Sequence, residues 1–244
     1  MIELILLGVG VGFLSGFFGI GGGTILVPLL LFLGYETKVA IGISVIQMVF
    51  SSVYGSYLNN KKGTLDIIMV SIIGVGGFLG ALLSGTITTS FSDLTLESIF
   101  LLFVLFALLR LFFHITTHEE EKNVSKIILL LIGFAIGVVS MTIGVGGSLI
   151  LVPILVGFLH VPLKKATSAG LFFVVFSSLS GFISHAMQGH LDYYSGIIIG
   201  VASLLGVYIG VHMKHSINAE VQKRLLIIFY LLIVSYLTYR VFFL

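Results

Sequence analysis

Long apolar runs alternate with short polar breaks along the whole chain. The runs cover 2–34, 39–58, 65–89, 94–113, 127–159, 166–184, 191–212 and 221–244. The breaks carry Lys38, Asn59 to Lys62, Asp93 with Glu97, His118 to Lys126, Lys164 with Lys165, and Lys214 to Arg224. A membrane-crossing helix needs about 20 predominantly apolar residues, and most runs have that length. They are continuous, without the alternation of polar and apolar positions that a membrane β-barrel requires. The pattern therefore predicts an all-α polytopic membrane protein of about eight transmembrane segments. Runs one and five are too long for one simple span and too short for two. Each holds a glycine cluster in its middle, Gly19 to Gly23 and Gly144 to Gly147, which predicts a segment broken by a Gly-rich loop. The N-terminal stretch lacks the basic region and A-x-A site of a signal peptide and carries Glu3, so it reads as the first membrane element.

The chain repeats itself. Residues 12–30, GFLSGFFGIGGGTILVPLL, align with residues 137–155, GVVSMTIGVGGSLILVPIL, and ten of 19 positions are identical. A second block matches at nearly the same offset: GTLDIIMVSIIGVGGFLG from Gly63 faces GHLDYYSGIIIGVASLLG from Gly189. Two blocks at offsets of 125 and 126 predict two homologous four-segment halves. The first repeat is placed at 1–117, a polar linker at 118–126 and the second repeat at 127–244. Transporters use both parallel and inverted repeats, and whether the first run of each half is a kinked span or a re-entrant hairpin stays open. Counted over eight spans, the basic residues tilt only slightly toward one side, weakly placing both termini outside.

Composition narrows the class. Of the 244 residues 58% are hydrophobic and 9% charged, with a mean hydropathy of +1.22. A soluble domain carries about a quarter charged residues, so the main solvent of this chain is lipid, and it is expected to be a multi-pass protein integral to the cell membrane. A net charge of +2 gives no nucleic-acid footprint. Without cysteine there is no disulfide framework or thiolate site. No cofactor and no metal site are expected; the acidic run after His118 reads as a solvated linker.

The glycine clusters are the first candidate chemistry. In hydrocarbon, irregular backbone is tolerated only where it lines a cavity or is buried in protein. A broken helix there presents free N–H groups and the positive end of a dipole, which suits an anion. Gly19, Gly21, Gly22 and Gly23, with Gly144, Gly146, Gly147 and Ser148, are the candidate substrate-binding breaks, and Pro28 and Pro153 the structural hinges that follow them. Runs two to five are nearly free of ionisable residues, which argues against a carboxylate-based cation path and leaves neutral groups to line a cavity: Ser44 and Gln47 on run two, Thr167 and Ser168 on run six. Ser15 with Ser140, and Ser51/Ser52 with Ser177/Ser178, match across the halves; the plainer reading for a lone serine is a bond to the carbonyl three or four residues back. The four-residue spacing of Gly8, Gly12 and Gly16, and of Gly76 and Gly80, reads as helix packing. Asp66 and Asp192 open runs three and seven and read as favouring helix N-termini. His185 and His190 read as headgroup-level histidines, and Lys38, Lys164 and Lys165 as anchors or anion attractors at a mouth.

These motifs resemble the sulfite exporter TauE/SafE family. GIGGGTILVPLLL and GVGGSLILVPILV, each followed by a basic residue and an A-x-x-x-S-like helix, and the later G-x-L-D of each half carry the resemblance over nearly the whole chain. It implies a permease of two similar four-helix halves whose known members move sulfite, sulfoacetate and related sulfonates, often outward. Ile43 stands where the family has a threonine before Ser44, Gly170 where it has a serine, and Ser148 in place of the third glycine.

The expectation is a secondary transporter, an exporter of small sulfur oxyanions or organosulfonates, holding the anion at the paired breaks near the bilayer midplane and working by alternating access. A passive anion channel and a non-transporting scaffold are the rivals. No HExxH motif or paired intramembrane aspartates favour an enzyme, and Ser184 with His185 is the sole candidate dyad. Expected partners are the small anion and the bilayer; a coupling ion (proton or sodium) and a homo-oligomer are left open.

Overall fold

The computed structural model describes residues 1–65, 67–113, 124–189 and 191–243. Asp66, His190 and the run His118 to Glu121 lie outside the described residues. Among the described residues the chain is all helix, with eleven α-helices and no strand. They are α1 (Ile2–Phe18), α2 (Gly23–Phe32), α3 (Thr37–Lys61), α4 (Ile67–Ala81), α5 (Ser84–Ser90), α6 (Asp93–Phe113), α7 (Lys126–Thr142), α8 (Ser148–Gly157), α9 (Leu163–Met187), α10 (Tyr193–Ser216) and α11 (Ala219–Phe243). Each apolar run of the sequence holds one helix or one pair.

Among the described residues four helices, α3, α9, α10 and α11, are long and apolar enough to cross a membrane, and α4 with α5 makes a fifth such element, bent by 42°. A helix of 25 residues is about 37 Å long, more than the ~30 Å hydrocarbon core. Polar termini hold the ends. The Asp192 carboxylate accepts from the Ser195 N–H (3.1 Å) at the start of α10, as read from the sequence.

The α4–α5 break was not legible, because no glycine or proline stands at Leu82 or Leu83. Its cause comes from another helix. Ser184 of α9 inserts its hydroxyl into the bend, donating to the Leu82 carbonyl (2.7 Å) and accepting from the Gly85 N–H (2.9 Å). A side chain that occupies both partners of the ladder kinks a helix.

Glycine sets the packing. A Cβ on Gly8, Gly12 or Gly16 of α1 would meet the backbone of Ile199, Ser203 or Val207 of α10, and Gly206 and Gly210 answer from α10 against Val9 and Phe13. In the same way Gly76 and Gly80 of α4 lie on Leu130 and Phe134 of α7, with Gly133 and Gly137 facing back. The small-residue stripes are packing seams, and the rising residue numbers make α1 parallel to α10 and α4 parallel to α7.

Further contacts order the rest. Gly196 and Gly200 of α10 lie on Ile46 and Phe50 of α3, so these two are parallel. α3 and α9 are antiparallel: Gly55 meets Leu171, and Thr64, just past the end of α3, bonds Ser168 near the start of α9 (2.9 Å). α6 and α11 are antiparallel too, tied by Arg240 Nε to Glu97 Oε2 (2.9 Å). Glu97 also accepts from Thr37 (2.8 Å), and Arg240 donates to the Leu31 carbonyl (3.2 Å). The end of α2, the starts of α3 and α6 and the end of α11 therefore share one end of the bundle. It follows that α1 and α2 form a hairpin. Both open at that same end, while Gly19 reaches deep enough to touch Thr167 of α9. α7 and α8 make the matching hairpin from the opposite end.

Candidate functional site

The first break begins where α1 stops. Gly19 takes the left-handed conformation (φ 67°) and its N–H closes on the Ser15 carbonyl (2.8 Å). A Cβ there would run into the Thr167 carbonyl, so both backbone angle and close approach require glycine. The second break, between α7 and α8, holds Gly144, Gly146 and Gly147 at φ 71°, 78° and 89°. Gly22 and Gly147 are the N-caps of α2 and α8.

The two breaks meet. Gly23 lies on the Gly144 carbonyl, Thr24 Oγ1 reaches the Val145 carbonyl (3.5 Å), and Met48 Sδ packs against both Gly23 and Gly146. Ser148, the first residue of α8, lies against Gly21. The N-termini of two helices thus converge, each with first-turn N–H groups that have no partner inside the helix. Residues 19–24 and 144–148 are all buried.

Gln47 stands at this junction. Its side chain lies on Gly22, where a Cβ would overlap the amide. It is fully buried, and neither Oε1 nor Nε2 has a partner. The buried Ser148 hydroxyl is unpartnered as well. Such groups cost about 1–3 kcal/mol each unless something satisfies them.

The other hydroxyls here hold the loops in place. Ser44 directs its one proton at two carbonyls, Ile41 and Gly144, both at 2.8 Å. Ser177 of α9, not placed at the site from sequence, bonds the Gly146 carbonyl (2.8 Å). Pro28 and Pro153 lie inside α2 and α8, where the missing N–H frees the carbonyl four residues back. For Pro153 that carbonyl is Leu149, and Tyr230 of α11 donates to it (3.5 Å).

Two predicted residues are placed differently. Thr167 gives the junction its main chain, against Gly19, while its hydroxyl turns back to the Lys164 carbonyl (3.1 Å). Ser168 belongs to a separate polar cluster around Lys214. The polar break predicts Lys214 in a loop, yet it is the third residue from the end of α10 and fully buried, donating to Ser168 Oγ and Asn59 Oδ1 at 2.9 Å each. Counting a ~20-residue span from Asp192 reaches Lys214 and is the signal that could have found it. His185, the third residue from the end of α9, is fully buried with Nε2 against the Met141 carbonyl (3.2 Å). Ser184 is committed to the α4–α5 bend. Lys38 donates to the Thr89 carbonyl (3.3 Å). Among the described residues no group of three His, Cys, Asp or Glu could hold a metal ion.

Comparison with known proteins points one way. The family model described as sulfite exporter TauE/SafE matches residues 4–237. The chain is 24% identical to the probable membrane transporter protein YunE of Bacillus subtilis, over 93% of this chain and 91% of that one. It is 25% identical to the probable membrane transporter protein YdhB of the same organism, over 87% and 89%. The probable membrane transporter protein MJ0441 of Methanocaldococcus jannaschii is also 25% identical, over 84% and 80%. No solved structure matches.

Proposed function

The chain belongs to the sulfite exporter TauE/SafE family, and from that premise we propose that this membrane transporter carries a small sulfur oxyanion or organosulfonate at the junction of its two glycine breaks. The observation that carries the reading is Gln47: a fully buried amide with both polar atoms unpartnered, lying on Gly22 where two helix N-termini converge. The amide N–H, the Ser148 hydroxyl and the first N–H groups of α2 and α8 are donors for an oxyanion's oxygens, and both helix dipoles favour its charge. Gly21, Gly22, Gly146 and Gly147 keep the backbone bare there. Ser44 and Thr167 act as supports rather than ligands. The test is uptake of labelled sulfite, thiosulfate or a small sulfonate by proteoliposomes. Saturable, selective flux that falls by more than tenfold in Gly22→Ala, whose Cβ displaces Gln47, is expected. Equal flux in a folded Gly22→Ala protein would refute the site.

We read the architecture as two inverted halves, 1–117 and 127–244 around a linker at 118–126. The antiparallel pairing of α3 with α9 and of α6 with α11 supports this, since each pair matches across the repeat. Of eight membrane segments, α1–α2 and α7–α8 are hairpins that enter from opposite faces, and the other six cross. Alternating access is then a movement of one bundle against the other about the two breaks.

The same topology sorts the charges. Lys61, Lys62, Lys126, Lys164, Lys165, Lys214, Lys223 and Arg224 lie at the bundle end where α3 finishes and α9 starts, and Lys38 and Arg240 at the other. These eight against two support a cytoplasmic first end, with both termini outside. An oxyanion drawn to the basic end is loaded from the cytoplasm, in keeping with export.

A further inference from the structure

We propose that Lys214, Asn59 and Ser56 form a second binding station for a small oxyanion, one turn beneath the basic end of the bundle. Lys214 is fully buried, and among the described residues no carboxylate pairs with it; the ion pair of Glu97 with Arg240 lies at the opposite end. Two of its three protons go to Asn59 Oδ1 and Ser168 Oγ (2.9 Å each).

Those acceptors are in use elsewhere too. Ser168 Oγ spends its own proton on the Lys164 carbonyl (2.9 Å) and also meets Thr64 Oγ1 (2.9 Å). Asn59 Oδ1 also faces His215 Nε2 (3.4 Å). What is left over is rich in donors: the third ammonium proton, the Asn59 Nδ2 group and the Ser56 O–H, both of the latter buried and unpartnered. Ser56 and Asn59 are three apart on α3 and share a face. A buried cation with surplus N–H and O–H groups and no anion calls for one.

The arrangement is peculiar to one half. At an offset of 126, Thr88 stands where Lys214 does and His185 where Asn59 does. Thr88 is already satisfied, donating to the carbonyls of Ser84 (2.9 Å) and Thr142 (2.8 Å). The station also adjoins the central junction. Ser168 holds Lys214, while the preceding Thr167 carries its carbonyl against Gly19 of the first break. An anion leaving Lys214 has one helical turn of α9 to pass before it reaches the glycine loops, and Lys61, Lys62 and Lys164 stand around the end above it.

The inference rests on the anion reading above for its ligand class alone, and the test separates the two. Binding of sulfite, thiosulfate and sulfate to the purified full chain is measured by calorimetry in neutral detergent at constant ionic strength. Lys214→Met is expected to weaken binding of the preferred anion at least tenfold and Lys214→Arg by less than about threefold. Asn59→Asp places a carboxylate against the ammonium and should weaken binding at least tenfold while the protein stays monodisperse, so the proposal is tested even where Lys214→Met does not fold. Wild-type affinity in both Lys214→Met and Asn59→Asp, with binding lost in Gln47→Met, overturns this station and leaves the central site standing. No binding of any of the three anions to the wild-type protein overturns both. In nanodiscs of matched ionic strength, phosphatidylglycerol that competes with thiosulfate where phosphatidylcholine does not would make the occupant a lipid phosphate and overturn the free-anion assignment.

Discussion

Replacing Gln47 by methionine separates a binding role from a structural one, because the two predict opposite signs. The side chains are close in volume, so no cavity opens and no overpacking follows. What disappears is a buried amide whose oxygen and nitrogen are both unpartnered. Each unsatisfied group carries a desolvation penalty of about 1–3 kcal/mol, so Gln47→Met should stabilise the ligand-free protein by about 2 kcal/mol or more. The same change removes a donor to a charged ligand, worth about 1.5–3 kcal/mol. At about 1.4 kcal/mol per factor of ten, affinity should fall by roughly 10- to 150-fold.

The assay is thermal unfolding in detergent without ligand and then across a titration of the preferred anion. The expected result is a higher midpoint without ligand and a smaller shift with it, the exchange of stability against function seen where a site holds destabilising groups in readiness. A variant that is less stable without ligand and binds the anion as well as wild type would refute the reasoning. The amide would then be holding the breaks together, as Ser44 and Ser177 do through Gly144 and Gly146.

Three further outcomes follow from the packing. Gly12→Ala puts a methyl group into the Ser203 backbone and should cost about 2–3 kcal/mol, whereas Gly10→Ala, with nothing within 4 Å, should be neutral or gain up to about 1 kcal/mol; paired melting curves check both. Arg240→Met strands the buried Glu97 carboxylate and should destabilise by about 3 kcal/mol, most of it regained when Glu97→Gln is added, as a double-mutant cycle would measure. The chain has no cysteine, so Glu36→Cys and Lys165→Cys report topology directly: in intact cells a membrane-impermeant maleimide should label the first and not the second, and the reverse pattern would invert the assigned orientation.

Much of this was legible in the sequence because lipid enforces simple rules. Every apolar run became a helix or a helix pair, the glycine spacings became helix seams, and Asp192 became a cap. The junction was legible in part. The glycine clusters pointed to broken helices, and Gln47 stood out as an amide in an apolar run, but nothing local shows that its neighbour across the fold is Gly22. The α4–α5 bend was hidden for the same reason, since Ser184 lies about a hundred residues from the ladder it enters.

The charge pattern shows how topology changes what a sequence says. Counted over eight crossings, the lysines nearly balance, because Lys38 and Lys164 fall on the same side. The hairpins alter that parity. α3 keeps Lys38 opposite Lys61 on either count, and α2, returning to the end from which α1 set out, only puts the N-terminus on the Lys38 side; α8 returns to its own starting end, so Lys164 joins Lys61. The determinant is whether the ten residues after the second glycine break continue or reverse, a turn built on left-handed Gly144, Gly146 and Gly147. Backbone conformations that glycine allows at that one break thus bring Lys164, Lys165, Lys214, Lys223 and Arg224 to the bundle end that holds Lys61, the end at which Lys214 waits for an anion.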